Sequence, residues 1–307
     1  MQPIHLSSGN LIADRRFEWA RDREGKGDLA GAADLLMQAL ELAPGYASAW
    51  FVLGEWREKL GDRAGAIDAF TQARAADPQD RHGATLHLVR LGVQPNVVMP
   101  EDYVRTLFDG YAAGFDQALT EGLNYRAPAL LFRAVEAAHA GRRMKFGSVL
   151  DLGCGTGLAA LPFRPFCDWL VGVDLSPAML AKARARGLYD RLVEAEVLRF
   201  LADEAALKAR YHLILAGDVF VYLDDLAPVL CAAAPVLARS AMLAFSVETH
   251  AGDGVLLRET LRYAHGEAHV QSALVAAGLK PVSLDYASTR TEKGVPVPGM
   301  IVVAANR

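Results

Sequence analysis

The chain has 307 residues, of which 52% are hydrophobic and 22% are charged, and this length and composition predict two globular domains rather than a disordered protein. Its 32 basic and 36 acidic side chains give a net charge of −4, which argues against a protein whose main partner is nucleic acid. Three scattered cysteines are too few for a disulfide framework or a zinc site, so we expect no bound metal. Because no apolar run approaches the roughly 20 residues that span a bilayer and the first residues lack a signal-peptide pattern, we expect a cytoplasmic protein without a membrane span.

The N-terminal region contains two copies of a 34-residue unit. Asp28 recurs as Asp62, and Pro44 recurs as Pro78, in each case 34 residues later. Helical stretches flank the Gly-Asp turn of each copy. A period of this length indicates paired helices that stack on one another, because each pair leaves an apolar face that only a neighbour can cover.

The second copy resembles a tetratricopeptide repeat (TPR). It has the W-x2-L-G opening of that repeat at Trp50, Leu53 and Gly54, and it ends at Pro78. We predict an all-α TPR domain over residues 1–92, with repeats at about 13–46 and 47–80 and a capping helix at about 82–91. TPRs usually bind a protein partner on a concave face, and a packing or oligomerisation role is the alternative.

Residues 93–102 contain two prolines and no clear period, and we interpret them as a linker. The stretch that follows, residues 103–123, is predicted to be helical, because aromatic side chains recur along it at helical spacing. Such a stripe is typical of a helix that packs on a core, and a lid over a ligand is the alternative. The aromatic residues are Tyr103, Phe108, Tyr111 and Phe115.

A glycine-rich turn follows an apolar strand in the second half of the chain. The strand runs into the sequence D-L-G-C-G-T-G at residues 151–157, and a helical pattern comes after it. Glycines let the backbone turn tightly and allow a ligand to approach without Cβ atoms in the way. This order predicts the first strand, turn and helix of a nucleotide-binding α/β sheet.

Each of the next three predicted strands ends in an acidic residue. These residues are Asp174, Glu196 and Asp218, at intervals of 22 residues, and Asp174 itself lies 23 residues after Asp151. A carboxylate at the tip of the second strand is placed to accept hydrogen bonds from both ribose hydroxyls of a nucleotide. Further strands are predicted over residues 241–247, 280–286 and 300–304.

The glycine turn does not match a dinucleotide-binding turn, which needs G-x-G-x-x-G and would place a glycine where Leu158 stands. Its D-x-G-x-G-x-G spacing resembles motif I of class I S-adenosylmethionine-dependent methyltransferases. The resemblance covers residues 103–307. It implies an α/β, Rossmann-like fold with a seven-stranded sheet and a C-terminal antiparallel hairpin.

With the repeats in front, the whole chain resembles the bacterial group of predicted methyltransferases that contain TPRs. Four further stretches carry this resemblance. They are F-D-x-Y-x-x-x-F-D at residues 108–116, L-N-Y-R-A-P at residues 123–128, R-Y-A-H at residues 262–265 and G-V-P-V-P-G at residues 294–299.

The resemblance implies S-adenosylmethionine as the cofactor and assigns its contacts. The glycine turn would hold the methionine part, Asp174 the ribose and Glu196 the adenine, and Asp218 would lie beside the sulfonium. As a separate hypothesis, Tyr111, Tyr125 and Arg126 form a lid, with Arg126 near the carboxylate of the cofactor. The implied cofactor-binding residues are Asp151, Gly153, Gly155, Gly157, Asp174, Leu175, Met179, Glu196, Val197, Asp218, Tyr111 and Arg126.

A sulfonium is a good leaving group, so the main task of such an enzyme is to align the acceptor with the methyl group. A general base is needed only if the acceptor is protonated at working pH. The candidate catalytic residues lie after the fifth strand, and Arg262 or Arg290 facing the pocket would favour an acidic acceptor, because a guanidinium forks onto carboxylates. The candidates are His265, Tyr263, Arg262 and His250.

The sequence also narrows the acceptor. Residues 218–222 read D-V-F-V-Y rather than the Asn/Asp-Pro-Pro-aromatic motif that holds a planar amine, and Cys231 follows a leucine rather than a proline. We therefore expect no nucleic-acid substrate and a small-molecule acceptor that bears a carboxylate or a hydroxyl. One alternative is a protein methyltransferase whose TPR domain recruits the polypeptide. The others are a non-catalytic scaffold that binds the cofactor, an enzyme that uses the cofactor for something other than methylation, and a nicotinamide-dependent reductase.

Overall fold

The computed structural model of the protein describes residues 6–117 and 122–306. The chain divides into two compact units, Met1–Thr106 and Leu107–Arg307. Each unit has an apolar core of its own. Among the described residues, no helix has both the length and the apolar character that crossing a membrane requires.

Unit 1 is a stack of helices in which each helix contacts the next. The same cap begins the second helix of both repeats: the carboxylates of Asp28 and Asp62 accept hydrogen bonds of 2.9 Å from the amides of Gly31 and Gly65. The 34-residue period therefore appears as a repeated local structure. The helices are α1 Leu11–Gly25, α2 Leu29–Leu42, α3 Ala47–Lys59, α4 Arg63–Ala76 and α5 Ala84–Arg90.

Small residues let the paired helices approach closely. Ala32 and Ala66, at equivalent positions in the two repeats, are completely buried. A Cβ atom added to Gly54 in α3 would lie 2.6 Å from the ring of Phe70 in α4, which is closer than atoms can approach without displacement. The glycine of the W-x2-L-G pattern is therefore required by packing rather than by backbone conformation.

The helix expected over residues 103–123 is shorter than predicted. Helix α6, Glu101–Tyr111, begins inside the stretch interpreted as a linker, and the boundary between the two units falls inside it, after Thr106. A turn closed by Gly114 follows, and then the short helix α7, Phe115–Gln117. Two glycines, Gly110 and Gly114, weaken helix formation here. Residues 118–121 of the predicted helix lie outside the described part of the chain.

Unit 2 is a twisted sheet flanked by helices. Its strands are β1 Phe146–Leu152, β2 Cys167–Asp174, β3 Arg191–Glu194, β4 Tyr211–Ala216, β5 Leu237–Thr249, β6 Val255–Leu257, β7 Tyr263–His265, β8 Lys280–Tyr286, β9 Thr291–Glu292, β10 Val295–Pro296 and β11 Gly299–Ala305. Its helices from residue 122 onward are α8 Ala127–Ala138, α9 Pro177–Arg186, α10 Val197–Ala206, α11 Ala227–Ala233 and α12 Glu267–Ala276.

The main path of the sheet has the order β3-β2-β1-β4-β5-β11-β8. The first five of these strands are parallel, and β11 is antiparallel to both β5 and β8. All seven predicted strands are present, and the predicted C-terminal antiparallel hairpin is confirmed. The strand order reverses between β1 and β4, and in open α/β sheets ligands bind at the carboxyl ends of the strands at such a switch point.

Two short pairs of strands were not predicted. Strands β6 and β7 pair with each other, and β7 also extends the sheet beside the end of β5. Strands β9 and β10 form a separate hairpin within the Gly/Pro-rich loop before β11. With two or three residues each, these strands are too short to show a periodic pattern in the sequence.

Candidate functional site

The turn after β1 is built on three glycines with left-handed backbone. Gly153, Gly155 and Gly157 have φ angles of +59°, +54° and +92°, a region that other residues rarely adopt. A Cβ atom at Gly153 would lie 2.4 Å from the side chain of Val219. At Gly155 the nearest atom to such a Cβ belongs to the ring of Phe115, at 3.9 Å. The backbone at Gly155 is therefore the part of the turn that a ligand can approach.

Asp174, at the end of β2, ties this turn to the sheet. Its Oδ2 accepts a hydrogen bond of 2.8 Å from the amide of Gly155, and its Oδ1 accepts one of 2.8 Å from the amide of Ser176. Burial raises the pKa of this carboxyl, and the backbone hydrogen bonds oppose the rise. Each oxygen has a second lone pair, so the group can also accept hydrogen bonds from a ligand.

Asp151 lies beneath the turn and is completely buried. Its Oδ2 accepts a hydrogen bond of 2.6 Å from the hydroxyl of Tyr189, whereas its Oδ1 has no hydrogen-bond partner among the described residues. Burial raises the pKa of Asp151 to about 7. Tyr189 was not identified from the sequence, since it lies in an irregular stretch between α9 and β3 that carries no motif.

The carboxylate of Glu196 is the N-cap of α10. Its two oxygens accept hydrogen bonds of 2.9 Å from the amides of Leu198 and Arg199. Each oxygen keeps a further lone pair, so the predicted contact with an adenine amino group is compatible with this cap. The other residues assigned to the adenine end are also placed: Leu175 and Val197 are half-buried, and Met179 is completely buried.

Asp218 adopts a strained backbone conformation at the end of β4. Its φ of +56° is unusual for a residue other than glycine, and such strain is common at functional sites. Ser246, on the neighbouring strand β5, holds it by accepting a hydrogen bond of 2.8 Å from its amide and donating one of 3.0 Å to its Oδ1. The other oxygen, Oδ2, lies 3.7 Å from Nη1 of Arg290.

Arg290 is a buried guanidinium that links several carboxylates. Its Nη2 donates a hydrogen bond of 2.5 Å to Glu248, at the end of β5, and one of 2.7 Å to Glu292. Burial acts to lower its pKa, but the charges of Glu248 and Asp218 outweigh this effect, and the pKa is raised. Because its charge is already matched inside the protein, Arg290 is not available to an acceptor.

The structure buries two of the four candidate catalytic residues, and a third is engaged by its own loop. His265 is completely buried, its Nε2 lies 3.2 Å from the carbonyl oxygen of Phe220, and burial lowers its pKa to about 4. Tyr263 is also completely buried. His250 folds back on its own loop, with Nε2 3.0 Å from the carbonyl oxygen of Gly254. The sequence does not show which of the two histidines is buried. Their burial depends on how β6 and β7 pack against the end of β5.

Arg262 is the fourth candidate, and its side chain is 24% exposed. Its guanidinium lies over the ring of Tyr222, 5.5 Å from the ring centroid. Nη1 lies 3.8 Å from Oε1 of Glu248, which is an ion pair without a hydrogen bond. Arg262 is therefore accessible, as is the half-buried His250, but the guanidinium of Arg262 has no side-chain hydrogen bond among the described residues.

The three residues assigned to a lid lie on two different segments. Tyr111, the last residue of α6, is 39% exposed, and burial of its hydroxyl end raises its pKa. Arg126 is exposed, and its amide donates a hydrogen bond of 2.7 Å to the carbonyl oxygen of Thr289. The neighbouring Tyr125 lies deeper: its burial raises its pKa strongly, and the charges of Asp218 and Asp151 raise it further.

Two aspartates attach the α6–α7 segment to the cofactor-binding edge of the sheet. Asp109 accepts a hydrogen bond of 2.5 Å from the hydroxyl of Ser176, at the start of α9. Asp116 accepts one of 2.5 Å from the hydroxyl of Thr156 in the glycine turn and forms an ion pair with Arg186. Both aspartates belong to the F-D-x-Y-x-x-x-F-D stretch, which was therefore the available signal, although their contacts were not predicted.

The comparisons with known proteins agree with this geometry. Residues 150–243, which include the glycine turn and the first five strands up to the middle of β5, match the family model described as a methyltransferase domain. The chain carries a methyltransferase domain. Residues 25–88 match the model described as a tetratricopeptide repeat. The resemblance to methyltransferases that contain TPRs is thereby confirmed.

Individual relatives of this methyltransferase domain are more distant. Human methyltransferase-like protein 27 is 43% identical over 86 residues, which are 28% of this chain and 34% of that protein. The match therefore spans about a third of the length of that curated relative.

Solved structures share the fold of the methyltransferase domain. Magnesium protoporphyrin IX methyltransferase from Synechocystis PCC 6803, with bound S-adenosylmethionine, has a TM-score of 0.51 at 17% identity, and the match covers 70% of this chain and all of that one (100%). The same enzyme with bound S-adenosylhomocysteine gives a TM-score of 0.50 at 18% identity, over 67% and 99% of the two chains. At this level of identity the likeness shows the fold, which is the predicted class I fold.

Proposed function

We propose that the protein is an S-adenosylmethionine-dependent methyltransferase that moves a methyl group to a small-molecule acceptor. The observation that carries this proposal is the glycine turn, which Asp174 ties to the end of β2 while the backbone at Gly155 stays open to a ligand. The methyltransferase-domain match, which includes these residues, supports it.

The residues at this edge of the sheet fit the cofactor. Asp151 has a buried oxygen without a hydrogen-bond partner among the described residues, and a ligand or an ordered water can satisfy it. Asp174 keeps free lone pairs for ribose hydroxyls. Asp218 holds a third carboxylate nearby, linked through Arg290 to Glu248. Carboxylates gathered in this way suit a cationic ligand that is rich in hydroxyl groups.

When bound, S-adenosylmethionine supplies a methyl group on a positively charged sulfur, which keeps the bonding electron pair and leaves as a thioether. The protein then needs mainly to orient the acceptor and exclude water. The glycine turn and Asp174 would hold the cofactor. The α6–α7 segment would cover the acceptor, and its Phe108 packs edge-on against Tyr222 at 5.4 Å between ring centroids.

Neither His265 nor His250 is placed to remove a proton from the acceptor. His265, whose pKa is lowered to about 4, is uncharged at neutral pH but is completely buried, and His250 is engaged by its own loop. An acceptor that is already ionised at neutral pH needs no base. The geometry therefore favours an acceptor whose nucleophilic atom carries a lone pair without prior deprotonation.

A protein substrate is the second candidate, and the tetratricopeptide repeat match over residues 25–88 favours it. Under this alternative unit 1 would recruit the polypeptide that is methylated. Transfer to a small molecule remains the main proposal, because the partly exposed guanidinium of Arg262 lies over the ring of Tyr222, where it can hold a small anionic acceptor.

Incubation of the full chain with methyl-radiolabelled S-adenosylmethionine and a size-fractionated cell extract tests this function. We expect label in the low-molecular-weight fraction. Label confined to polypeptides would establish the protein-methyltransferase alternative instead. Cofactor binding without transfer to either fraction would favour a non-catalytic scaffold. An Asp174→Asn variant is the control, and its label incorporation should fall with its cofactor affinity.

A further inference from the structure

Three guanidinium groups surround the buried carboxylate of Glu248, and they are not equivalent. Arg290 donates a hydrogen bond of 2.5 Å to this carboxylate. Arg258 lies 3.3 Å from it and also donates a hydrogen bond of 2.8 Å to the carbonyl oxygen of Thr249. Arg262 lies 3.8 Å away, and its side chain has no hydrogen-bond partner among residues 6–117 and 122–306. The negative charge of Glu248 is thus shared by three guanidinium groups. Of these three, Arg262 lies farthest from the carboxylate and forms the weakest ion pair with it.

The guanidinium of Arg262 lies over one tyrosine ring, and its charge acts on two further tyrosines. It lies over the ring of Tyr222 at 5.5 Å, in a cation–π arrangement. Burial raises the pKa of Tyr111 and of Tyr125, and the positive charge of Arg262 partly opposes the rise in both, so this charge is close to both hydroxyls. The result is a partly exposed cation in an aromatic environment, whose N–H groups can donate hydrogen bonds to a ligand.

This cation lies next to the place where methyl transfer is proposed. Arg290 contacts both Asp218, the carboxylate assigned to the sulfonium, and Glu248, the carboxylate that Arg262 faces. The charges of Asp218 and Arg262 both act on the pKa of Tyr125: Asp218 raises it and Arg262 lowers it. The guanidinium of Arg262 and the proposed reacting centre therefore belong to one site.

We propose that Arg262 is the specificity-determining residue of the acceptor site and that the acceptor is a carboxylate attached to a flat, unsaturated group. A carboxylate satisfies the guanidinium through paired hydrogen bonds. The rings of Tyr111 and Tyr222 match the flat body of such a molecule. This inference rests on the proposed methyl transfer, and it assigns to Arg262 the binding of the acceptor rather than proton transfer.

Benzoate and its uncharged analogue benzamide are suitable probes, since they differ in the carboxylate alone. Both are titrated into the full chain saturated with S-adenosylhomocysteine and followed by protein-observed NMR. We expect benzoate to bind roughly tenfold to a hundredfold more tightly than benzamide, which is the range for a charge-assisted hydrogen-bonded pair. Arg262→Gln should abolish this preference, whereas Arg239→Gln, at an exposed position, should preserve it.

The outcomes separate this inference from the proposed function. Equal binding of the two probes, no binding of benzoate, or a preference that survives in Arg262→Gln would overturn the inference, provided that S-adenosylhomocysteine binds. Failure of the wild-type chain to bind S-adenosylhomocysteine would overturn the proposed function instead. Unchanged S-adenosylhomocysteine affinity of Arg262→Gln shows that the variant is folded, and Arg262→Lys, which keeps the charge but loses the fork, should show an intermediate preference for benzoate.

Discussion

Asp151 and Asp174 are neighbouring buried carboxylates whose pKa values are both raised by burial, but their hydrogen bonds differ. Asp174 accepts from two backbone amides, so its charge is stabilised where the glycine turn needs an anchor. Asp151 accepts from the hydroxyl of Tyr189 on one oxygen, and the other oxygen has no partner among the described residues. Asp174 is suited to bind a ligand directly, and Asp151 is suited to support the turn from below.

Replacing Asp174 with asparagine should weaken binding of S-adenosylhomocysteine. The change removes a charged acceptor and puts an amide donor beside the N–H of Gly155 or of Ser176, so we expect a loss of about 1–3 kcal/mol in binding free energy. Isothermal titration calorimetry measures it. Asp168→Asn, in an exposed pair with Lys145, is the matched control and should bind like the wild type. Wild-type affinity in Asp174→Asn would mean that the ribose is held elsewhere.

Asp151 should make the cofactor-free protein less stable as the pH rises. Its pKa is about 7 in the folded state, against an ordinary value of 3.8, so between about pH 4 and pH 7 the folded state binds a proton that the unfolded state has released. The contribution of this group to stability is therefore largest below pH 4 and is lost as the pH rises through 7. Asp151→Asn should remove that loss.

Urea denaturation of the wild type and Asp151→Asn at a series of pH values measures this effect. The difference in free energy of unfolding should shift in favour of the variant as the pH rises across that window. Other groups, such as His265 with its lowered pKa, affect both proteins alike and cancel in the difference. Parallel stability curves would show that Asp151 does not titrate in this range.

At the level of elements, two aspartates of the α6–α7 segment form polar contacts with the cofactor-binding edge. Asp109 contacts the start of α9, and Asp116 contacts the glycine turn and the end of α9. The segment has little buried apolar surface, since Tyr103 is the buried residue of α6 and α7 has none. Segments with few buried contacts open at low free energy.

Asp116→Asn should therefore loosen this segment without unfolding unit 2. It removes the ion pair with Arg186 and weakens the contact with Thr156. We expect faster amide hydrogen exchange in peptides that cover residues 107–117 and unchanged exchange in β1 and β4, measured by mass spectrometry. Asp168→Asn again serves as the control. Unchanged exchange in residues 107–117 would show that Asp116 does not hold the segment.

The paired helices of unit 1 make a separate prediction. A Cβ atom at Gly54 would lie 2.6 Å from the ring of Phe70. A Cβ atom at Gly45 would have no described atom of another residue within 4 Å, apart from its chain neighbours. Gly54→Ala should lower the free energy of unfolding of this unit by about 1–3 kcal/mol, because overpacking forces α3 and α4 apart. Gly45→Ala should have little effect. Urea denaturation of the full chain, followed by fluorescence of the buried Trp56, tests the pair, and equal stability would contradict the packing.

Across the whole molecule, periodic and closely spaced features were the predictable ones. The 34-residue repeat, the seven strands of the main sheet path and the glycine turn each leave a regular pattern in the sequence. The environment of single side chains does not, because it depends on residues far apart in the chain. His265 and Tyr263 fell inside the core because β7 joins the end of β5. Tyr189 reaches Asp151 from 38 residues away, and no spacing rule anticipates that hydrogen bond.

The central claim is that the carboxyl edge of the sheet binds S-adenosylmethionine. Isothermal titration calorimetry of the full chain with S-adenosylmethionine, S-adenosylhomocysteine and NAD tests it most directly. We expect the first two ligands to bind at one site per chain and NAD to produce no binding heat, because the turn lacks the third glycine of a pyrophosphate-binding loop. Binding of NAD without a response to either sulfur-containing ligand would contradict the account.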